Sequence, residues 1–351
     1  MNLKTVVCGP REGWRVSNGL LKRLPRQVFS VDGPGPTTTT RKMNPPQSVR
    51  ARQESSLHFP ETSIVGGGLV EGPPMKDWRA PLQKQGGLSP VVALGKFDAM
   101  HVGHRALAEA AAALGGHPWL ISFSGMAEVL NWEPRLPIVP FCERASVLKS
   151  WAPFCGGLPP CMRYLPFGEI RSMSPEEFVE LLAEQLGAVG IVAGENYRFG
   201  YKAAGDANTL QELGGKYGMK VTILDLVTSQ GEPAVENVST SKVRDGLAKG
   251  ALGQVQKYLD RRYRLVSEFD STESIPFSGG STIPMKAFLN QPPVEGPYPV
   301  DVQLQTISHD GLLNDVMGPL RTTISFDESG VRVPGLEMGN LAGRMHLVVD
   351  F

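Results

Sequence analysis

Two histidines, His101 and His104, stand three residues apart in "GKFDAMHVGHRAL" (Gly95–Leu107), with Gly103 just before the second. An apolar run, "VVALG", leads in, and an Ala/Leu-rich run, "RALAEAAAAL", leads out. A helix that begins at the end of a strand has unsatisfied N–H groups and the positive end of its dipole, so it attracts phosphate. Gly103 lets backbone approach closely. Imidazoles beside such a helix start can donate to phosphoryl oxygens without carrying a permanent charge. In phosphoryl or nucleotidyl transfer the nucleophile is often already anionic, and the protein's task is to stabilise charge on the equatorial oxygens. Two imidazole donors suit that task. The plain alternative is a pair of histidines at a solvated turn.

Two further segments carry chemistry. In "VENVSTSKVRDGLAKG" (Val235–Gly250), Ser239, Thr240 and Ser241 precede Lys242, Arg244 and a helical run. One hydroxyl caps a helix; three, with Lys and Arg on the first turn, read as a second phosphate cradle. In "GENYRFGYKAAGD" (Gly194–Asp206), Asn196 offers an amide that donates and accepts, suited to the edge of a heterocycle. Tyr197 and Phe199 offer flat surfaces for stacking, and Arg198 offers charge. Core aromatics in a Gly-rich loop are the plain reading of the same residues.

These segments need elements to hold them. "VVALGKF" reads as a short buried strand and "HRALAEAAAALGG" as a helix stopped by glycines. "PWLISFSG", "MRYLPF", "AVGIVAG" and "MKVTILDLV" continue the strands. "PFCERASVLKSWA", with Arg144, Val147, Leu148 and Trp151 at helical spacing, and "DANTLQELGGKYG" continue the helices. "SPEEFVELLAEQLG" is the clearest helix: Ser174 can cap it, Pro175 suits its first position, and Glu176 and Glu177 favour the dipole's positive end. The alternation predicts an α/β, doubly wound Rossmann-like parallel sheet, whose ligands sit beyond the carboxyl ends of the strands. After about Tyr258, "YPVDVQLQTIS", "LRTTISFD", "GVRVPG" and "GRMHLVVDF" alternate at period two, predicting a small all-β module. "DSTESIPFSGGSTIP", ahead of these strands, reads as a mobile loop.

The composition excludes several classes. Of 351 residues 41% are hydrophobic, and charge is balanced at 35 Lys+Arg against 35 Asp+Glu, which gives no reason to expect nucleic-acid binding. No apolar run approaches the roughly 20 residues of a membrane span. The four cysteines form no CxxC pair and read as free thiols, neither a disulfide frame nor a zinc site. Residues through Arg50 carry nine Lys/Arg, two acids and "TTTT", the composition of an organelle transit peptide or of a disordered tail. Ordered structure is expected from near Leu88.

In order, the three segments read GxFDxxHxGH, GxNxRFG and (I/V)SxSxxR. Over about Val91–Arg264, including "YLPFGEIRSMSPEEFVELL", the chain resembles the FAD synthetase module of the bacterial riboflavin kinase/FAD synthetase family, within the HxGH nucleotidyltransferase superfamily, and especially its plastid-type plant relatives. The resemblance implies that FMN phosphate attacks the α-phosphorus of Mg-ATP, giving FAD and pyrophosphate. It implies that Gly95, Phe97, Asp98, His101, Gly103 and His104 line the ATP site, with His101 and His104 as the catalytic pair. It also implies that Ser239, Thr240, Ser241 and Arg244 hold ATP phosphates, and that Asn196, Arg198 and Phe199 face the flavin. The substrates are then ATP and FMN, with Mg2+ brought by the nucleotide and no protein metal ligands.

Two departures qualify the match. Many bacterial members carry Phe-x-Pro-His-Pro after the second strand, where this chain has "SFSGMAEVL". "PVEGPYPVDVQL" resembles a riboflavin-kinase strand. Yet no Gly-x-Pro-Thr-x-Asn motif lies between Leu265 and Tyr298, and "RMHLVVDF" lacks the glutamate expected just before its histidine. The expected organisation is a transit peptide and disordered linker over 1–74, the nucleotidyltransferase domain over 88–257 and a degenerate riboflavin-kinase-like β domain over 258–351. The expected activity is FAD synthesis without riboflavin kinase activity, in the chloroplast or alternatively the mitochondrion. The alternatives are adenylylation of another phosphorylated cofactor precursor, and a non-catalytic flavin or nucleotide binder.

Overall fold

A computed structural model describes residues 77–225, 237–308 and 311–351. The expected transit peptide and linker over 1–74 lie outside the described residues. Packed structure is present ahead of Leu88, however. Trp78 and Leu82 are buried in the core, Leu82 N–H donates to the Leu186 carbonyl at 2.9 Å, and Arg163 donates to the carbonyls of Trp78 and Ala80 at 3.2 and 3.1 Å. These partners lie roughly 80 to 100 residues away in sequence, which is why local composition places the start too late.

The first part alternates as the apolar pattern predicts: β1 (Pro90–Leu94), α1 (Val102–Ala113), β2 (His117–Ser124), α2 (Met126–Leu130), α3 (Phe141–Ser150), β3 (Cys161–Pro166), α4 (Phe167–Ile170), α5 (Pro175–Glu180), β4 (Gly190–Gly194), α6 (Ala207–Lys216) and β5 (Lys220–Leu224). The strands form a parallel sheet in the order β3-β2-β1-β4-β5. One face carries Leu107, Ala108 and Ala111 of α1 with Val147, Leu148 and Trp151 of α3. The other carries Phe178 and Val179 of α5 with Leu210 of α6. The helices therefore change face between the neighbours β1 and β4. In open sheets of this kind ligands bind at the carboxyl edge of such a switch point. The α5 start is a complete capping box: Ser174 Oγ accepts the Glu177 N–H, and Glu177 returns a carboxylate to the Ser174 N–H at 2.7 Å.

Two helices, α7 (Thr240–Ala248) and α8 (Leu252–Leu259), lead into an antiparallel sheet of β6 (Arg264–Asp270), β7 (Ile275–Phe277), β8 (Gly280–Ile283), β9 (Pro297–Ile307), β10 (Leu313–Asp327), β11 (Gly330–Pro334) and β12 (Arg344–Asp350). Its order is β6-β12-β9-β10-β11-β8-β7. The stretch expected to be a mobile loop, "DSTESIPFSGGSTIP", is instead ordered. It forms a capped turn at Asp270–Glu273 and then the β7–β8 hairpin, which turns at Gly279 in the left-handed region (φ 89°). Its strands are three and four residues long, too short for alternation to register as a pattern. The two sheets share one apolar core: Val243, Leu247, Val255 and Tyr258 of α7 and α8 join Leu265, Val302, Leu304 and Leu347 to the α1 side of the parallel sheet.

Candidate active site

β1 runs into the Gly95–His101 turn, whose conformation is held under strain. Phe97 and Met100 take left-handed backbone (φ 51° and 47°) although neither is glycine, and both are fully buried. Such residues cost about 1–3 kcal/mol each and persist only where their surroundings hold them. Arg261 supplies part of that hold, donating to the Met100 carbonyl at 2.8 Å and the Ala99 carbonyl at 3.0 Å. Ser122 Oγ donates to the Lys96 carbonyl at 2.7 Å, and Asp98 Oδ1 accepts the Ile138 N–H at 3.0 Å.

His101 is the N-cap of α1. Its Nδ1 accepts the His104 N–H at 3.3 Å, so the proton of the neutral ring sits on Nε2. The two imidazoles stack with centroids 3.8 Å apart and 13° between planes, and Phe97 leans on His104 at 4.9 Å. Burial, and then the charge of Arg261, hold His101 down to about 4. Burial, then His101, Arg144 and Arg261, hold His104 well below the usual imidazole value. Both are neutral donors near pH 7, and the positive charge of the corner comes from arginine. His104 Nδ1 is buried without a hydrogen-bond partner. An orphaned polar atom of this kind costs about 1–3 kcal/mol, a cost that a polar ligand group in reach of it offsets.

The second segment meets the first directly. Ser239 caps α7, its Oγ accepting the Lys242 N–H at 3.3 Å; Thr240 is half-buried and Ser241 exposed. Arg244, one turn further, donates Nη2 to Asp98 Oδ2 at 2.7 Å and to the Leu136 carbonyl at 3.0 Å, and Nη1 to Gln291 Oε1 at 2.5 Å. The histidine turn and the hydroxyl-rich helix start are thus tied by one ion pair. Beside it lies an open cleft of about 490 Å³ lined by Arg135, Leu136, Arg244, Asp245, Ala248 and Gln291.

The third segment follows β4 at the same sheet edge. Asn196 and Arg198 are exposed, Arg198 standing 3.7 Å from the Asp206 carboxylate. Phe199 is only 6% exposed and packs on Phe178, 5.8 Å away, so in this structure it is a core residue rather than an open stacking face. Tyr197 stacks on it at 6.2 Å, its hydroxyl buried without a partner. The loop closes on itself through paired Phe199 and Gly205 backbone bonds; a Cβ on Gly205 would stand 2.7 Å from the Phe199 ring, hence glycine there. "SFSGMAEVL" ends β2, turns at left-handed Gly125 and forms the short α2.

Two arginines escape motif reasoning. Arg144 on α3 is buried, donates to the Val139 carbonyl at 3.2 Å and the Tyr164 hydroxyl at 2.8 Å, and depresses His104. Its signal was present: a charge on an otherwise apolar helix face. Arg261 sits in "DRRYR", and nothing local marks it as the one turned inward. Among the described residues no group of three His, Cys, Asp or Glu is placed to hold a metal ion, and Asp98 is paired with Arg244. Cys142, Cys155 and Cys161 are free thiols. Among the described residues no helix is long and apolar enough to cross a membrane.

A parallel sheet with its switch point between β1 and β4, a strained turn bearing stacked imidazoles at a helix start, and guanidinium groups around them define a doubly wound α/β protein with a donor-rich corner at its carboxyl edge. More particularly, residues 85–238 match the family model described as FAD synthetase. The chain is 42% identical over 228 residues to FAD synthetase 1, chloroplastic, of Arabidopsis thaliana, the match covering 60% of this chain and 64% of that one. It is 43% identical over 226 residues to FAD synthetase 2, chloroplastic, of the same plant, covering 60% and 61%. The chain thus spans less than two thirds of the length of these plant relatives. A bifunctional riboflavin kinase/FMN adenylyltransferase of Pseudomonas fluorescens is 26% identical over 231 residues, covering 64% and 71%. A solved structure from Streptococcus pneumoniae, described as a macrolide-efflux protein, superposes with a TM-score of 0.57 at 20% identity, covering 77% of this chain and 88% of that one; this likeness is one of fold alone.

Proposed function

We propose that this chain transfers the adenylyl group of ATP to FMN, giving FAD and pyrophosphate. The observation that carries the reading is the stacked pair of neutral imidazoles at the start of α1, one of them with an orphaned nitrogen. A phosphate oxygen of FMN attacks the α-phosphorus of Mg-ATP, a P–O bond forms, and the bond to the β-phosphate oxygen breaks with pyrophosphate leaving. No proton need be removed from an ionised phosphate. His101, through Nε2–H, and His104 stabilise the triphosphate oxygens in the transition state. Gly95, Phe97, Asp98 and Gly103 shape the ATP side, and Ser239, Thr240, Ser241 and Arg244 lie toward its phosphates. Asn196 and Arg198 face the flavin, with Phe199 supporting their loop from the core.

The proposed organisation is a nucleotidyltransferase domain over 88–257 and a riboflavin-kinase-like module over 258–351 without kinase activity. No glutamate stands just before His346: Met345 holds that position, and Arg344 before it is paired with Glu268 at 2.9 Å. The basic residues 1–74 act as a plastid transit segment, in keeping with the chloroplastic names of the Arabidopsis relatives. Incubating the protein with Mg-ATP and either FMN or riboflavin tests both halves. FAD and pyrophosphate from FMN, with no FMN from riboflavin, is the expected result. FMN made from riboflavin would refute the lost kinase; no FAD from FMN would refute the transferase.

A further inference from the structure

We propose that the antiparallel module supplies a positioning residue for nucleotide transfer: Gln291 orients the guanidinium of Arg244, and through it the Asp98 carboxylate, against the histidine turn. The inference rests on the reading of the site given above and explains what a module without a kinase signature does for the reaction.

An arginine on a long stem has many rotamers, and its planar fork is useful only when its plane is set. Three acceptors set that of Arg244. Asp98 and the Leu136 carbonyl belong to the first part of the chain; Gln291 alone comes from beyond α8. Gln291 is itself fixed at both ends of its backbone. Its N–H donates to the Pro137 carbonyl at 2.9 Å, and its carbonyl accepts the Tyr263 hydroxyl. The preceding Asn290 is fully buried. Its Oδ1 accepts the Val266 N–H at 2.9 Å, and its Nδ2 stands 2.8 Å from the Arg264 carbonyl, 3.0 Å from the Tyr263 hydroxyl and 3.1 Å from the Ile138 carbonyl. Ile138 in turn donates its N–H to Asp98. The bonds therefore close a ring, from Asp98 through Ile138, Asn290, Gln291 and Arg244 back to Asp98. A closed ring of four hydrogen bonds, two of them to backbone, has little freedom, so displacing the Gln291 acceptor releases Arg244.

The test compares Gln291→Met, which removes the acceptor at similar size, with Gln291→Glu, which keeps it. Native protein is first shown to make FAD from FMN; if it does not, the function proposed above falls, and the positioning role is read instead by titrating Mg-ATP alone. The expected result is that Q291M lowers kcat about tenfold, the scale of losing one hydrogen bond to a charged group, while Q291E stays within about threefold of native kcat. On an Arg244→Gln background, Q291M should cost nothing further, because its effect runs through Arg244. Thermal unfolding separates orientation from misfolding, and Q291S answers the same question if Q291M is unstable. Native kcat and native Mg-ATP affinity in Q291M, an equal fall in Q291M and Q291E, or a full further loss on the Arg244→Gln background would each overturn the proposal.

Discussion

The Asp98 carboxylate receives the Arg244 guanidinium at 2.7 Å across 146 residues of chain, while its other oxygen holds the Ile138 N–H at 3.0 Å. Both side chains are less than a quarter exposed, 23% and 22%, so the pair is screened less than a surface ion pair would be. It links the histidine turn after β1 to the start of α7, two places the sequence offers only as separate phosphate cradles. Asp98→Asn keeps the shape but replaces the ionic acceptor by an amide. It should lower kcat/KM for ATP by about ten- to a hundredfold, corresponding to roughly 1.5–3 kcal/mol for a charge-assisted bond. Steady-state kinetics with ATP varied at saturating FMN check this, and an unchanged kcat/KM would remove Asp98 from the site.

His101 does two jobs that substitution can separate. It caps α1 through Nδ1, and it presents Nε2–H as a donor. Asn is a good N-cap and Ala a poor one. His101→Asn should therefore hold stability within a few tenths of a kcal/mol, and His101→Ala should lose about 1 kcal/mol. Both should lose turnover, by about a hundredfold on the scale of one transition-state donor. His104→Ala should show the same loss of kcat with no capping penalty. Urea unfolding and kcat measured on the same preparations test the separation; a His101→Asn protein with native kcat would leave that residue a cap and nothing more.

The pH dependence of stability contains opposing contributions. Burial holds His101 near 4, below its unfolded value of about 6.5. Between those values the unfolded chain binds more protons, so this contribution is complete above about 6.5 and is lost as pH falls toward 4. Glu109 on α1 works the other way. One of its oxygens pairs with Arg105 at 3.1 Å, the other is buried without a partner, and burial raises the carboxyl to about 7 despite Arg105. Here the folded chain keeps the proton, so the contribution is complete at low pH and is lost as pH rises from about 4.5 to 7. Glu109→Gln removes only the second. Its stability should climb more steeply than native between pH 5 and 7, by on the order of 2 kcal/mol. Parallel denaturant midpoints for the two proteins across that range would contradict it.

The doubly wound sheet and the histidine turn were legible because both are written locally. Apolar runs of five to eight residues bounded by glycine mark strands β1, β2 and β4, and a short motif between strand and helix marks the turn. Ser174 and Ser239 are caps for the reason any serine caps. What escaped is long-range. The inward turn of Arg261 and the Gln291 bond to Arg244 are set by which elements pack together, and nothing in their neighbours' identities records it; Arg144 left one local sign, a charge on an apolar helix face, but not its place beside His104. Phe199 shows the converse: motif reasoning treats its ring as a ligand surface, and the packing on Phe178 shows that it holds the loop in place.

Arg261 provides the strongest test of how the turn keeps its strained shape. It is nearly buried, burial lowers it to about 10, and it is the neighbour whose charge most depresses His101. Its fork spans two consecutive carbonyls, Ala99 and Met100, beside the left-handed Met100. A lysine ammonium is a single point and cannot hold both in one plane. Arg261→Lys should therefore keep the positive charge yet lower thermal stability and cut kcat by about tenfold, because the stacked imidazoles lose their fixed position at the helix start. Arg261→Met should do more: it leaves both carbonyls unpaired at about 1–3 kcal/mol each and removes a charge that keeps His101 neutral. His101 should then titrate above 4, seen as a downfield shift of its imidazole carbon proton at higher pH than in native protein. If Arg261→Met leaves that titration and kcat unchanged, the guanidinium neither sets the histidine's charge state nor holds the turn.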